Sequence, residues 1–194
     1  MEERQEEKSQ EYRQRLSKLE DLRKAGVNPY PNDFKPTFTC ARVIKEAAQL
    51  LEEVPEANSV SVTIAGRIMA IRDFGKASFI QVQDMTGRLQ AYIKKDALGE
   101  NAFSVWKLLD MGDIIGLGGR VFRTKTNELT LEVKDIKLLS KGLHPLPEKW
   151  HGLTDVEARY RQRYLDIMVN PEVKDVFLKR AAIVKFLRDF LSAR

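Results

Sequence analysis

The sequence has 194 residues, of which 43% are hydrophobic, and carries a net charge of +5 with one cysteine and two histidines. This length suffices for one full domain with appendages, while so few potential ligands exclude an internal disulfide and make a zinc site unexpected. No apolar run approaches the length of a membrane span, and the first residues are mixed charges rather than a signal peptide. We therefore expect a cytoplasmic protein with no membrane partner.

The first 58 residues predict a helical extension. A charged helix over residues 2–25 ends at Gly26, and a second short helix begins at Thr39, a good N-cap, and runs to about Glu53. The apolar positions are Tyr12, Leu16 and Leu19 in the first helix, and Val43, Ile44, Ala47, Leu50 and Leu51 in the second.

From residue 59 the hydrophobic period changes to two, which predicts β-strands. The predicted strands are 60–69, 77–83, 88–93, 114–124 and 128–139, with a helix over residues 96–110. Three strands, a helix and two strands are the order of a five-stranded OB-fold barrel, which we assign to residues 59–141. The fold class is thus mainly β with helical appendages. An SH3-like barrel is the alternative, and the helix between strands three and four argues against it.

Alternation along the predicted strands assigns side chains to an inner and an outer face. In strand one the even-numbered residues face inward. In strand five Leu129, Leu131 and Val133 face inward, and Glu128, Thr130 and Glu132 face outward. Gly116, Gly118 and Gly119 lack the spacing of a dinucleotide-binding loop, so we expect them to mark bulges where strand four bends.

The hairpin of strands two and three has aromatic and amide side chains on its outer face. These residues are Phe79, Gln81, Gln83, Gln90 and Tyr92. Rings that alternate with amides on an open sheet suit unstacked nucleic-acid bases. Residues 66–95 add six basic residues against two acidic ones, which favours a phosphate backbone as partner. The alternative is that a loop or helix covers Phe79, and the hairpin alone leaves both interpretations open.

After residue 141 the composition changes again. Residues 142–169 are predicted to be an interdomain linker that contains a helical or turn segment rich in arginine and tyrosine. Asn170 and Pro171 predict the start of a further helix, since an N-cap residue precedes proline at the first helical position. The apolar face of this helix is broad, so we expect a missing domain or a partner to cover it.

The segment 148–166, EKWHGLTDVEARYRQRYLD, closely resembles the linker between the two domains of bacterial-type lysyl-tRNA synthetases. Residues 26–34 resemble the stretch after that family's first helix, and residues 66–84 and 112–139 resemble its anticodon-binding barrel. Residues 170–191 resemble the first helix of its class II catalytic domain, at the start of motif 1. The linker separates this family from the related aspartyl and asparaginyl enzymes, which share the barrel.

The resemblance implies that the barrel recognises the U-rich lysine anticodon. By motif, Phe79 matches the ring that stacks on the central base, and Gln90 matches the amide that reads this base. Arg72 and Glu128 match side chains around the wobble base. Alternation independently places Phe79, Gln90 and Glu128 on the outer face. Arg72 lies in a predicted turn, so its direction stays open. A solvated arginine and a hairpin-end acid are the alternatives for Arg72 and Glu128. Gln81, Gln83 and Tyr92 receive no role.

The resemblance also implies a lysine–tRNA ligase that uses ATP and Mg²⁺, binds tRNA-Lys and forms a homodimer. Residues 170–194 match only the start of the catalytic domain, and nothing in the sequence matches the motifs that bind ATP and lysine. We therefore expect no catalytic residue, no metal site and no cofactor in this chain. The alternatives are a generic single-stranded nucleic-acid-binding OB domain and a dimerisation module that acts through the last helix.

Overall fold

The computed structural model describes residues 2–47, 61–147 and 153–194. By contacts, the chain divides into two compact units, Met1–Pro145 and Leu146–Arg194. Three predicted features lie outside the described residues: the end of the second helix, the start of strand one at Val60, and residues 148–152 of the linker motif. Of the helices that are described, none combines the length and apolar character that crossing a bilayer requires.

The N-terminal helix α1 spans Glu2–Lys24, and Gly26 follows it with φ of 75°, as the sequence predicts. Its packed stripe differs from the prediction, because Leu16 is 37% exposed whereas Leu22 is fully buried. Arg15 lies on the packed side because its guanidinium donates hydrogen bonds to two backbone carbonyls at 3.0 Å. Arg15 therefore takes the packed position that the apolar pattern assigns to Leu16.

Helix α2, Cys40–Arg42, begins where the sequence predicts, since the hydroxyl of Thr39 accepts a hydrogen bond from a backbone N–H of the first turn. A π-helical turn over Val43–Ala47 continues it. Val43 is buried as predicted, but Ile44 is 43% exposed. The wider turn changes the residue spacing, so the predicted apolar stripe does not stay on one face.

Five strands form a closed barrel in the order β1-β2-β3-β5-β4. They are β1 Ser61–Asp73, β2 Ala77–Gln83, β3 Arg88–Lys94, β4 Ile114–Arg123 and β5 Leu129–Ser140. Strands β3 and β5 pair in parallel, and the other neighbours pair antiparallel. The predicted five-stranded OB-fold barrel with helical appendages is confirmed.

Between β3 and β4 the chain forms two short helices, α3 Lys95–Leu98 and α4 Glu100–Lys107, where one helix is predicted. Gly99 separates them because its φ of 83° cannot continue a helix. In α4, Trp106 is buried and donates a hydrogen bond to the Ser78 hydroxyl at 3.2 Å. The helices thereby cover one end of the barrel core. The largest fully buried core side chains are Leu22, Ile64, Ile68, Ile80, Ile93, Ile115, Leu117, Leu131 and Leu138.

The turn between β2 and β3 is fixed to helix α2 by Asp84. One carboxylate oxygen of Asp84 accepts a hydrogen bond from the backbone N–H of Cys40 at 2.7 Å, and the other accepts from Thr86 and Gly87. Burial and the nearby charge of Asp84 raise the pKa of the Cys40 thiol to about 12, so this thiol stays protonated at neutral pH. The N-terminal segment therefore anchors the hairpin that carries the candidate site.

A buried ion cluster joins α1, the loop before β4 and the end of β5. Lys141 Nζ lies 2.6 Å from Asp110 and 2.8 Å from Asp113, and the side chains of Lys141 and Asp113 are fully buried. Lys18 on α1 reaches the other oxygen of Asp110. Burial alone would raise the pKa of Asp110, but hydrogen bonds from the two lysines and their charges outweigh it, so the pKa lies below its usual value.

The second unit consists of three helices, α5 Val156–Arg161, α6 Arg163–Val169 and α7 Pro171–Ser192. The buried carboxylate of Asp166 accepts hydrogen bonds from Arg159, Arg163 and Asn170 at 2.9, 2.6 and 2.7 Å. Asn170 precedes α7 as predicted, but its side chain bonds to Asp166 and does not cap the helix. Exposed apolar side chains on α7 include Val176, Leu178, Ile183, Phe186, Leu187 and Leu191.

The glycines of β4 fulfil two different packing needs. The β4–β5 register shifts between Gly118 and Gly119, which confirms a bulge there. Gly116 instead makes room for Phe34, because a Cβ at this position would lie 2.6 Å from its ring. A Cβ at Gly119 would collide with the backbone carbonyl oxygen of Glu132. The Phe34 ring therefore excludes a side chain at Gly116, and close approach of β5 excludes one at Gly119.

We expect Gly119→Ala to lower the free energy of unfolding by about 1–3 kcal/mol, because the barrel must shift to admit the methyl group. Gly87→Ala is the matched control, since a Cβ there meets no atom within 4 Å. Urea unfolding followed by the fluorescence of Trp106, in a Trp150→Phe background, measures both. Equal stability of the two variants would contradict the packing argument.

We expect Lys141→Met to lower the free energy of unfolding at pH 7 by about 3–5 kcal/mol, because it leaves the fully buried Asp113 carboxylate without a cation and Asp110 with Lys18 alone. Lys18→Met should cost less than about 1 kcal/mol, since Lys18 is 35% exposed. The lowered pKa of Asp110 stabilises the fold above the usual value of 3.8, and this contribution is lost as the pH falls. The difference between wild type and Lys141→Met should therefore shrink below about pH 4. The account would be contradicted if the urea midpoints of wild type and Lys141→Met differed by the same amount at every pH.

Candidate nucleic-acid interface

The outer face of the β2–β3 hairpin brings together aromatic and amide side chains. Phe79 pairs with Tyr92, and Gln81 pairs with Gln90, across the antiparallel β2–β3 hairpin, whose outer face carries these residues as predicted. The rings of Phe79 and Tyr92 lie 4.7 Å apart between centroids and are tilted by 34°. Both rings are partly buried on the outside of the barrel, whereas Ile80 between the outer residues is buried in its interior.

Arg72 belongs to β1 and not to the turn in which the sequence analysis places it. The β1–β2 register shifts between Ile68 and Ala70, which is a bulge. This extra residue reverses the alternation, so that Ile71 lies opposite the buried Ile80 and Arg72 lies opposite Phe79. The predicted inward position of the even-numbered residues holds from Val62 to Ile68. Beyond the bulge, the guanidinium group of Arg72 lies exposed on the same face as the Phe79 ring.

Two further aromatic residues extend this face into a row. Phe74, which is 69% exposed in the β1–β2 turn, meets the Phe79 ring edge-to-face at 6.3 Å. Phe122 on β4 meets the Tyr92 ring edge-to-face at 6.4 Å. We call Phe74, Phe79, Tyr92 and Phe122 the aromatic row. Phe122 is not among the predicted site residues. Alternation in β4 indicates its outward position, because Val121 is buried and its neighbour must face outward.

Parallel pairing of β3 with β5 places Gln90 next to Thr130. The amide nitrogen Nε2 of Gln90 donates a hydrogen bond to Thr130 Oγ1 at 2.9 Å, and this hydroxyl donates to the backbone carbonyl of Glu128 at 3.2 Å. Thr130 faces outward as predicted, yet it is fully buried. Glu128 is exposed and lies one residue before β5, and not in the strand as predicted. The structure therefore brings Arg72, Phe79 and Gln90 onto one face of the barrel, and connects Glu128 to Gln90 through the backbone carbonyl that Thr130 binds.

The basic residues of segment 66–95 divide into paired and unpaired groups. Arg67 donates to the carbonyl of Gly112, Arg88 donates to Gln83, Lys94 pairs with Asp96, and Lys95 pairs with Glu100. In the part of the chain that the structure describes, the side chains of Arg72 and Lys76 have no such partner. Both are exposed, near opposite ends of the β1–β2 turn. These two cations can contact phosphate without breaking a bond within the protein.

The described ranges contain no cluster of metal-ligating side chains. Within residues 2–47, 61–147 and 153–194, no three or more His, Cys, Asp or Glu side chains are grouped so that they could hold a metal ion. The outer face of the barrel can stack flat rings, donate and accept hydrogen bonds and attract phosphate. Its side chains are therefore suited to the binding of a nucleic acid.

Comparison with known proteins identifies the relatives of this chain. Residues 62–139 match the family model of the OB-fold nucleic acid binding domain. The lysine–tRNA ligase of Anaeromyxobacter dehalogenans (strain 2CP-C) is 50% identical over 182 residues, which are 93% of this chain and 35% of that protein. The chain is homologous to lysine–tRNA ligases.

Two further lysine–tRNA ligases show the same extent of similarity. That of Carboxydothermus hydrogenoformans is 48% identical over 180 residues, 93% of this chain and 36% of the relative. That of Magnetococcus marinus is 46% identical over 191 residues, 98% of this chain and 38% of the relative. The chain thus spans between 35% and 38% of the length of these relatives, and the similarity includes the OB-fold domain.

Proposed function

We propose that this chain binds the anticodon of tRNA-Lys as part of a lysine–tRNA ligase. The observation that carries the proposal is a phenylalanine ring beside a glutamine amide on the open face of an OB barrel. Homology to lysine–tRNA ligases supports the choice of this RNA among the single strands that such a face can bind. In this proposal the barrel holds unpaired bases, and its partner is the anticodon stem-loop.

Each predicted site residue has a role that its position supports. Phe79 stacks on the central base of the anticodon. Gln90 lies diagonally across the β2–β3 pair from Phe79, and such neighbours are about 7–8 Å apart, so its amide can reach the edge of a base on that ring. Arg72 and Glu128 flank the wobble base. Because a carboxylate repels phosphate, Glu128 serves there as an acceptor for a base N–H group.

Affinity and its salt dependence come from contacts with phosphate, to which Arg72 also contributes. Arg72 and Lys76 are exposed cations without a partner in the described ranges, so they can neutralise phosphates at no cost to the fold. Each such contact with single-stranded RNA contributes about −0.7 to the slope of log K against log salt concentration. Phosphate contacts hold any RNA strand, whereas the base contacts of Phe79 and Gln90 distinguish one strand from another.

The complete enzyme is proposed to activate lysine with ATP and Mg²⁺, to charge tRNA-Lys, and to act as a cytoplasmic homodimer. Residues 59–141 are then the anticodon-binding domain, residues 1–58 its helical extension, and residues 142–169 the linker. Residues 170–194 begin the class II catalytic domain.

Recognition of the anticodon predicts a preference for the lysine stem-loop. We expect the full 194-residue chain to bind a stem-loop with the UUU anticodon at least tenfold more tightly than one with all three bases changed to GCG, because base-edge contacts differ between them. Fluorescence anisotropy at one fixed salt concentration measures both affinities. Equal affinities would favour a generic single-stranded nucleic-acid-binding domain and would overturn the proposal.

Stacking on Phe79 predicts that Phe79→Ala weakens binding of the UUU stem-loop by about 1–3 kcal/mol, whereas Phe79→Trp retains affinity. Lys94→Ala is the control, since Lys94 lies at the end of β3 and pairs with Asp96. Its loss should cost less than that of Phe79. A titration in which Lys94→Ala binds more weakly than Phe79→Ala would reject the stacking role.

A further inference from the structure

We propose that Thr130 is a positioning residue that holds the Gln90 amide with its carbonyl oxygen toward the bound base, so that the site selects uracil over cytosine. The inference rests on the proposed function, because it concerns how the same face reads one base. Thr130 itself touches no base in this account. It acts through the orientation of a side chain that does.

The hydrogen bonds around Thr130 form a short directed chain. Gln90 Nε2 donates to Thr130 Oγ1 at 2.9 Å, and Thr130 Oγ1 donates to the backbone carbonyl oxygen of Glu128 at 3.2 Å. A threonine hydroxyl has one proton, and here the Glu128 carbonyl receives it. Thr130 itself is fully buried, so both bonds meet at a hydroxyl group that is closed to solvent. Gln90, at the other end of the first bond, is half-buried.

Reversal of the Gln90 amide would break this chain. Its oxygen Oε1 would then face Thr130 Oγ1, and one hydroxyl proton would have to serve two acceptors, Oε1 and the Glu128 carbonyl. The hydroxyl could then serve only one of them, so the reversed amide makes one hydrogen bond fewer, while the Glu128 carbonyl keeps the bond that it accepts from the backbone N–H of Thr124 at 3.0 Å. The observed orientation is therefore the stable one. It leaves Oε1 as the part of the amide that is available to a ligand.

The neighbouring amide shows that this constraint is specific. Gln81 lies directly opposite Gln90 on the same outer face. In the described part of the chain its side chain makes no hydrogen bond or ion pair, so nothing fixes which end of that amide faces outward. Of these two paired glutamines, Gln90 has a hydrogen-bond partner, Thr130, on the neighbouring strand, whereas Gln81 lies opposite Ala70. Only Gln90 presents an acceptor of fixed direction.

An acceptor of fixed direction distinguishes the two pyrimidines. Uracil carries an N3–H donor on its Watson–Crick edge, and this donor can bond to Gln90 Oε1 while the ring stacks on Phe79. Cytosine has an unprotonated N3 at the same position, so two acceptors would meet. A base that lacks the matching donor leaves the acceptor of the site unpaired, and an unpaired polar group disfavours binding of that base. The Thr130 hydroxyl thereby sets the base preference at this position.

The test compares stem-loops that carry UUU and UCU anticodons, bound to the full chain at one salt concentration. We expect wild type to prefer the central uracil, Thr130→Val to lower the ratio of the two affinities about three- to tenfold, and Thr130→Ser to keep it within about twofold. Thr63→Val is the matched control, because Thr63 bonds to Thr37 and has no contact with Gln90. It should leave the ratio unchanged.

The outcomes separate the inference from the proposed function. If wild type does not prefer the central uracil, the proposed function fails and the inference fails with it. If wild type prefers uracil and folded Thr130→Val keeps the full ratio, the inference alone is overturned. Loss of the ratio in Thr130→Val, with rescue by serine, supports it. A merely structural role of Thr130 would lower both affinities equally and leave their ratio intact.

A second variant tests the direction of the amide without a change at Thr130. Gln90→Glu replaces the amide by a carboxylate, which can only accept a hydrogen bond at neutral pH. Binding should weaken because the carboxylate repels phosphate, but the preference for the central uracil should persist. If the amide nitrogen of wild type faces the base, Gln90→Glu should lose this preference. That result would overturn the inference even where Thr130→Val fails to fold.

Discussion

The parallel pairing of β3 with β5 is the constraint on which the candidate site depends. It joins Gln90, Ala91 and Tyr92 to three residues of β5, and it closes the barrel between strands that are distant in sequence. Gln90 and Thr130 are 40 positions apart, yet this register puts their side chains in hydrogen-bond contact. The same register completes the aromatic row, because β5 in turn carries β4 and Phe122. A slip of one residue would turn each of these side chains to the opposite face.

The outer face separates three tasks among different kinds of side chain. The aromatic row offers stacking, which is tolerant of sequence because every base has a flat face. Exposed cations such as Arg72 attract the phosphate backbone, which carries no sequence information. In the proposed function, the oriented acceptor of Gln90 reads the edge of one base. On that proposal, affinity can be high for many strands, while preference among them depends on one amide and on the hydroxyl of Thr130 that orients it.

Rigid support for this face comes from groups that do not touch it. Asp84 fastens the β2–β3 turn to the backbone of Cys40, so the hairpin cannot move away from the N-terminal segment without loss of several hydrogen bonds. The buried cluster around Lys141 joins α1 to the loop before β4 and to the end of β5. Buried ion pairs give little net stability, but they tolerate few alternative arrangements. The N-terminal extension is thus part of the barrel's support as well as an appendage to it.

In the sequence by itself, the order of predicted strands and helix indicated the OB barrel. Period-two alternation determined the outward positions of Phe79 and Gln90, because side chains in a strand must alternate. It could not determine the direction of Arg72, since a bulge between Ile68 and Ala70 reverses that alternation, and a bulge depends on how two strands fit. Nor could it show that Thr130 is buried beneath Gln90, because local pattern does not encode which distant strands become neighbours. This contact depends on tertiary structure, because closure of the barrel buries the outward-facing hydroxyl of Thr130 next to the amide of Gln90.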